Sequence, residues 1–336
     1  GCEVVIPTLA DRTDRFSGNP ALNRFTNHPH REWIYRQSFV LGRHVIGYEV
    51  QKILAAVDWL AGRHRGTAGG IGVVGWGEGA LLAFYSAAID PRIAATLVSG
   101  YFGPRERLWQ EPIYRNLFGL LPDYGDAEIA RLIVPRALHL EPAPAPEITG
   151  PPPPRPGRSG AAPGRLGSVP FAAVSSEVER ARRLAGPAAA AIHFHADAGG
   201  TTSAPMSAGA LRAFLHSLGR EDRELVLPGA APVERRPGWA EAARQERQIR
   251  EMERYTQRQS QFAADSRDEF LWKKVAPTTP EAWHAAMRDY RATAWSEMIG
   301  RFPATDLPLH PRTRLIHDRP AWTGYEVMLD VLPDVF

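Results

Sequence analysis

A strand that runs directly into a glycine-rich turn and then a helix is the feature that most restricts the fold of this chain. Ile71–Trp76 is a continuous apolar run, which is typical of a strand covered on both faces. The glycine-rich segment 75–79 (GWGEG) overlaps its end, and Ala80–Ile89 then has helical composition. A strand, a tight turn and a helix in this order predict one unit of an α/β fold.

The same alternation of strands and helices extends along the first two thirds of the chain. Apolar residues at helical spacing between Tyr48 and Gly62 predict a helix before the central strand, and further helices are expected between the later strands. We therefore expect a mostly parallel sheet flanked by helices. The other predicted strands are Glu3–Leu9, Ala94–Ser99, Pro135–Glu141 and Ala190–His195, and the other predicted helices are Tyr114–Leu121, Ala127–Leu132, Val174–Leu184 and Ser207–Leu218.

Changes in composition suggest where domains end. Residues 1–228 form the predicted α/β domain, interrupted at 142–170 by a Pro- and Gly-rich stretch that should be an extended surface loop. Residues 229–310 are predicted to form a helical connector, with charged helix over Trp239–Lys274 and amphipathic helix over Glu281–Ile299. Within 311–336, the alternation of Tyr325–Leu332 predicts a strand without a partner, the first strand of a second domain that is cut off.

Charge and cysteine content exclude several classes of protein. Lys and Arg total 40 against 37 Asp and Glu, a net charge of +3, and only three of the basic residues are lysines. The arginines are scattered among carboxylates and form no basic block, so we expect no nucleic-acid partner. No apolar run reaches membrane-spanning length. Cys2 is the only cysteine, which excludes an internal disulfide. We expect no metal and no cofactor. The sequence does not indicate a cellular compartment.

The turn at 75–79 resembles the nucleophile elbow of α/β-hydrolases, in which Gly-x-nucleophile-x-Gly joins a strand to a helix. Gly75 and Gly79 match the two glycines of that motif. Gly77 stands where the family carries its nucleophile, and glycine has no side chain that can attack a carbonyl. Only the backbone N–H of Glu78 remains from the family's oxyanion hole.

More of the chain is similar to the dienelactone-hydrolase and acetyl-xylan-esterase-like branch of that superfamily, over roughly residues 1–220. The similarity lies in Val57–Leu60, Ile71–Val73, Asp90–Ala95 and Ile133–Leu138. In this alignment Thr201 stands at the position of the catalytic histidine, after Gly199 and Gly200. The catalytic acid falls near Glu141 or Glu147, and an alternative register makes Asp197 the acid, with His195 beside it. The resemblance also implies that the first strands of the fold and one oxyanion N–H precede this chain.

The long polar stretch 10–32 follows the first predicted strand, at the edge where open α/β sheets bind ligands. It carries imidazole, guanidinium and amide groups, which either tie down a polar surface loop through hydrogen bonds or bind a ligand, for which we expect a carbohydrate or an ester. By contrast, His193 and His195 share one face of a predicted strand and are expected to be structural. The predicted ligand-binding residues are Arg24, Asn27, His28, His30, Arg31, Trp76 and Glu78.

The resulting expectation is a catalytically degenerate esterase-like domain that serves as a scaffold or ligand-binding partner in a longer esterase, with the remainder of its own chain as a partner. The alternative is an active hydrolase with a non-serine site, in which Glu78, His28 and His30 act on a water molecule. A third possibility, a purely structural interaction protein, rests on the Pro-rich loop and the charged helices.

Overall fold

The computed structural model describes residues 2–64, 70–197, 204–220, 225, 229–230, 233–302, 304–333 and 335. The chain divides into two compact units, Gly1–Ala263 and Ala264–Phe336. The predicted domain boundaries at 228 and 310 stay a prediction.

A four-stranded parallel sheet organises unit 1. Its strand order is β3-β4-β5-β6, with β3 at Ile71–Trp76, β4 at Ile93–Ser99, β5 at Ala137–Glu141 and β6 at Ile192–Phe194. These strands confirm four of the predicted ones, and the α/β class with a parallel sheet flanked by helices is likewise confirmed. A two-residue antiparallel pair lies ahead of the sheet in the chain, β1 at Gly18–Asn19 and β2 at Arg24–Phe25.

Helices cover both faces of the sheet. Val98 of β4 points into the main core with α2 to α5, whereas Leu97, its neighbour, packs with Ala210 and Phe214 of α6 on the opposite face. The helices of unit 1 are α1 (His30–Phe39), α2 (Val45–Arg63), α3 (Glu78–Ile89), α4 (Asp126–Ile133), α5 (Phe171–Ala185), α6 (Ala208–Ser217) and α7 (Glu241–Arg267), of which α7 belongs to unit 1 as far as residue 263.

The predicted strand Glu3–Leu9 is not formed. The segment has no regular secondary structure, and neighbouring helices bind the end of it through side chains instead of a strand ladder. Lys52 of α2 donates to Thr8 O at 3.3 Å, and Gln245 of α7 donates to Leu9 O at 2.9 Å. An apolar, β-branched run is therefore not sufficient for a strand where no neighbouring strand pairs with it. The predicted helix Tyr114–Leu121 is also wrong, since only a 3₁₀ turn at Ile113–Arg115 forms.

Unit 2 differs from its predicted form in two places. The single helix expected over Glu281–Ile299 is broken at Met287 into α8 (Pro280–Ala286) and α9 (Arg288–Thr293), followed by a π-helical turn. The strand expected without a partner has one: β8 (Trp322–Met328) pairs antiparallel with β7 (Arg312–Arg319). The partner was missed because β7 is dominated by charged residues and lacks a clear alternation.

Candidate functional site

The turn between β3 and α3 is a sharp reversal that requires glycine at two positions. Gly77 has φ 56° and ψ −115°, close to the first central position of a type II′ turn, which favours glycine. A Cβ built on Gly75 would lie 2.1 Å from the carbonyl oxygen of Gly79, because the start of α3 folds back against the end of β3. The pattern of glycines in the sequence is therefore explained by local backbone geometry.

The Pro-rich segment 142–170, which we call the strap, closes over this turn. A Cβ on Gly77 would lie 2.7 Å from Cδ of Pro146, so the strap fills the space that a side chain at residue 77 would need. The indole N–H of Trp76 donates to Pro144 O at 2.7 Å and fixes the strap next to the turn. The strap is irregular, as predicted, but it packs against unit 1 and buries Ala143.

The cavity that remains beside Gly77 has a volume of about 30 Å³. A single water molecule needs about 10–15 Å³, so this space has room for about two waters. Its polar lining is charged and includes Arg12, Arg105 and Arg115 together with Glu78 and Glu111. The turn therefore faces a small, ionic space.

Glu78 is the centre of this ionic group. Its carboxylate accepts hydrogen bonds from Arg31 at 2.8 Å, from Arg115 at 2.8 Å and from Arg12 at 3.1 Å. Burial alone would raise the pKa of Glu78, but the three guanidinium groups outweigh it and lower the pKa to about 2. A carboxylate with this pKa is a weak base, so Glu78 is poorly suited to remove a proton from water at neutral pH.

Arg31 connects Glu78 to a second buried carboxylate. Its Nη1 lies 2.9 Å from Oε1 of Glu49, which also accepts the backbone N–H of Ala10 at 2.8 Å. Arg31 and Glu49 are 1% and 0% exposed. The guanidinium of Arg31 also lies 5.3 Å from the ring centre of Tyr114, within cation–π range. These contacts hold the loop 10–32 on α2 and α3.

The side chains of His30 and His28 both form hydrogen bonds with other residues of the protein. The backbone N–H of Phe16 donates to Nε2 of His30 at 2.8 Å, so this nitrogen carries no proton and Nδ1–H donates to Asp11 at 2.6 Å. Nε2 of His28 lies 2.9 Å from Gly160 O in the strap. No hydrogen bond or ion pair joins either histidine to Glu78, and all of these residues lie in the part of the chain that the structure describes.

The remaining predicted ligand-binding residues lie in different surroundings. Asn27 is buried and holds the strap at two points, through Pro152 O at 2.7 Å and the N–H of Ala161 at 2.9 Å. Arg24 is exposed on β2, and Trp76 is 43% exposed. Of the predicted set, the structure brings Arg31 and Glu78 into direct contact, while Asn27, His28 and Trp76 bond to the strap.

The candidate catalytic acids are far from equivalent. Glu141 is buried and accepts hydrogen bonds from Ser99 Oγ at 2.5 Å and from the backbone N–H groups of Met206 and Ser207 at 2.8 and 3.0 Å. It therefore anchors the segment that begins α6. Glu147 and Asp197 are exposed. Thr201, at the histidine position of the alignment, lies outside the described residues.

Several charged residues around Glu78 were missed in the sequence, among them Glu49, Arg105, Glu111 and Arg115. Glu49 lies between Ile46 and Val50 on the apolar face of α2, and a carboxylate in such a stripe indicates a buried partner. Arg115 follows Tyr114 in an irregular segment and gave no comparable signal.

Comparison with known proteins finds no match among protein-family models, curated proteins or solved structures. Among the described residues, no group of three or more His, Cys, Asp or Glu side chains is arranged to hold a metal ion. Nor does any helix in the described ranges combine the length and apolar character needed to cross a membrane.

Proposed function

We propose that residues 1–228 form an α/β-hydrolase-type domain related to carboxylic and carbohydrate esterases, which does not itself cleave esters and acts as a scaffold in a larger esterase. The single observation that carries the proposal is the turn at Gly77, where a strand enters a helix through a residue without a side chain while Pro146 occupies the adjoining space. An elbow of this kind offers no nucleophile and no room for an acyl group.

The surroundings of the turn support a scaffold better than a ligand-binding role. In the ionic group four guanidinium groups, of Arg12, Arg31, Arg105 and Arg115, are matched by four carboxylates, of Glu49, Glu78, Glu111 and Asp126. Because these guanidinium and carboxylate groups bond to one another beside a cavity of only about 30 Å³, the group offers a carbohydrate or an ester little space and few free donors and acceptors.

The alternative of an active non-serine hydrolase has less support. It requires Glu78 to accept a proton from water and His28 or His30 to act beside it. Glu78 instead has a pKa lowered to about 2, and His30 is bonded through both ring nitrogens to Asp11 and Phe16. No specific contact favours this chemistry.

Hydrolysis of 4-nitrophenyl acetate by the purified chain tests the proposal. We expect no turnover above a no-enzyme blank from the wild type, from Glu78→Gln or from Gly77→Ser. Circular dichroism confirms that each variant is folded, and Gly77→Ser is also made with Pro146→Ala to give the serine space. Labelling by a fluorophosphonate, which reacts with activated serines, is expected to be negative for all four proteins.

Turnover by the wild type that disappears in Glu78→Gln would overturn the proposal in favour of the non-serine hydrolase. Turnover or fluorophosphonate labelling gained in Gly77→Ser, alone or with Pro146→Ala, would show that a functional base is present. The position of that base would then not be Thr201.

A further inference from the structure

Three histidine rings are stacked on the face of the sheet that α6 covers. His139 of β5 is 1% exposed, and its ring centre lies 4.6 Å from that of His193 and 5.2 Å from that of His195. The planes are inclined by only 17° and 21°. His139 and His193 are register partners on adjacent parallel strands, so strand pairing itself brings these rings together.

The hydrogen bonds of this stack assign the position of each proton. Ser217 Oγ, in the last turn of α6, donates its single proton to Ala213 O at 3.1 Å and therefore accepts from Nε2–H of His139 at 3.0 Å. Nδ1 of His139 is then an acceptor, and Nε2–H of His195 donates to it at 2.9 Å. With His139 neutral, the chain of donors runs in one direction from β6 through β5 into α6.

A proton added to Nδ1 of His139 would point at the N–H of His195, so the hydrogen bond between the two rings is kept only if His195 changes to its Nδ1–H form. It would also place a cation between two other imidazoles, in a position closed by the edge of the Phe214 ring at 6.2 Å. We propose that the histidine stack is an acid-sensitive latch, which fastens β6 and α6 to the sheet when its rings are neutral and releases them when they are protonated.

No charged group that the structure describes near the stack compensates a charge added to His139. Arg182 of α5, which donates to Ile192 O, opposes protonation of His193, while Glu141 of β5 favours protonation of His195. From α6 the stack is faced by Phe214 and Ser217, while Arg212 and His216 of that helix are exposed. Burial and the two neighbouring imidazoles together lower the pKa of His139 to about 3, and burial lowers the pKa of His193 and of His195.

The direction of the pH dependence follows from these shifts. In the released state the rings regain an ordinary pKa near 6.5, so below about pH 6.5 release is accompanied by proton uptake. The equilibrium constant for release then rises about tenfold per pH unit for each proton taken up. The stabilisation that the neutral rings provide is complete above pH 6.5. It is lost as the pH falls from 6.5 toward the lowered pKa values of the rings in the folded state.

Hydrogen–deuterium exchange of the purified chain between pH 7 and pH 4.5 tests the latch. After correction for intrinsic exchange, we expect exchange in β6 and α6 to accelerate by at least tenfold per pH unit below pH 6.5. His139→Phe keeps a ring at this position but cannot titrate. In this variant the acceleration of exchange per pH unit should be about tenfold smaller than in the wild type. His44→Asn is the matched control, because His44 is a half-buried imidazole outside the stack and caps α2 through Ile46 N, a bond that asparagine can replace.

Equal pH dependence in α6 and α4, or an unchanged dependence in His139→Phe, would overturn the proposal. Nitrogen chemical shifts of labelled imidazoles provide a measurement that needs no variant. At pH 7 we expect both His139 and His195 in the Nε2–H form. Observation of His139 protonated at both ring nitrogens at pH 7 would overturn the latch.

Discussion

At the β3 end of the sheet Glu78 is buried as an ion among three guanidinium groups, whereas at the β6 end His139 is buried as a neutral ring between two others. Both are ionisable groups removed from water, and each arrangement avoids an unpaired buried charge. Glu78 does so by pairing with groups of opposite charge, and His139 does so by staying neutral. The two ends are therefore expected to respond to acid and to substitution in different ways.

The two ends also differ in how they are closed. The strap lies over the β3 end, where Arg155 pairs with Asp14 at 2.6 and 3.0 Å and Pro146 contacts the turn. At the β6 end no comparable segment is seen among the described residues, and His193 is exposed. The contacts of the strap with Asp14 and with the turn favour a structural role for the charges of the ionic end.

The largest expected effect is that of Arg31→Ala, which removes the one cation shared by Glu49 and Glu78. Two buried carboxylates would lose their common partner, and breaking a buried ion pair from one side costs about 3–5 kcal/mol. Urea unfolding at pH 7 measures this loss. Arg247→Ala is the control, because Arg247 and Glu251 form an exposed pair at 4.0 Å, for which we expect a change within about 1 kcal/mol. A similar small change in both variants would show that the ionic end does not depend on charge pairing.

The next effect is on the acid stability of the ionic end. The pKa of Glu78 falls from 4.5 to about 2 on folding, so its ionised form stabilises the protein above pH 4.5 and this contribution is lost as the pH falls through 2. The difference corresponds to roughly 3 kcal/mol. In Glu78→Gln the free energy of unfolding should be lower at pH 7 and should fall less steeply between pH 4.5 and 2. Parallel curves for the two proteins would contradict the lowered pKa.

The contrast also indicates what could be predicted from the sequence. The central strands β3 and β4 were predicted because their apolar runs reflect burial, which acts locally on residue choice. The contact of Arg31 with Glu78 depends on how the loop 10–32 folds over α3, and the stacking of His139 on His193 depends on strand register. Neither contact leaves a pattern in the local sequence. The sequence therefore did not show which of these residues would meet. Glu49 is the exception, since a carboxylate in an apolar helix stripe is itself a signal.

The smallest effect concerns the enclosure of the turn. Gly77→Ala adds a Cβ to a residue with φ 56° and places it 2.7 Å from Pro146 Cδ, so backbone strain and a steric clash act together. We expect a loss of about 1–3 kcal/mol in urea unfolding. Pro146→Ala removes both ring atoms that make the clash, so the double variant should be more stable than the sum of the single changes by at least about 0.5 kcal/mol. Strict additivity would mean that the strap does not occupy the space beside Gly77 in solution, and the loss in Gly77→Ala would then be due to backbone conformation alone.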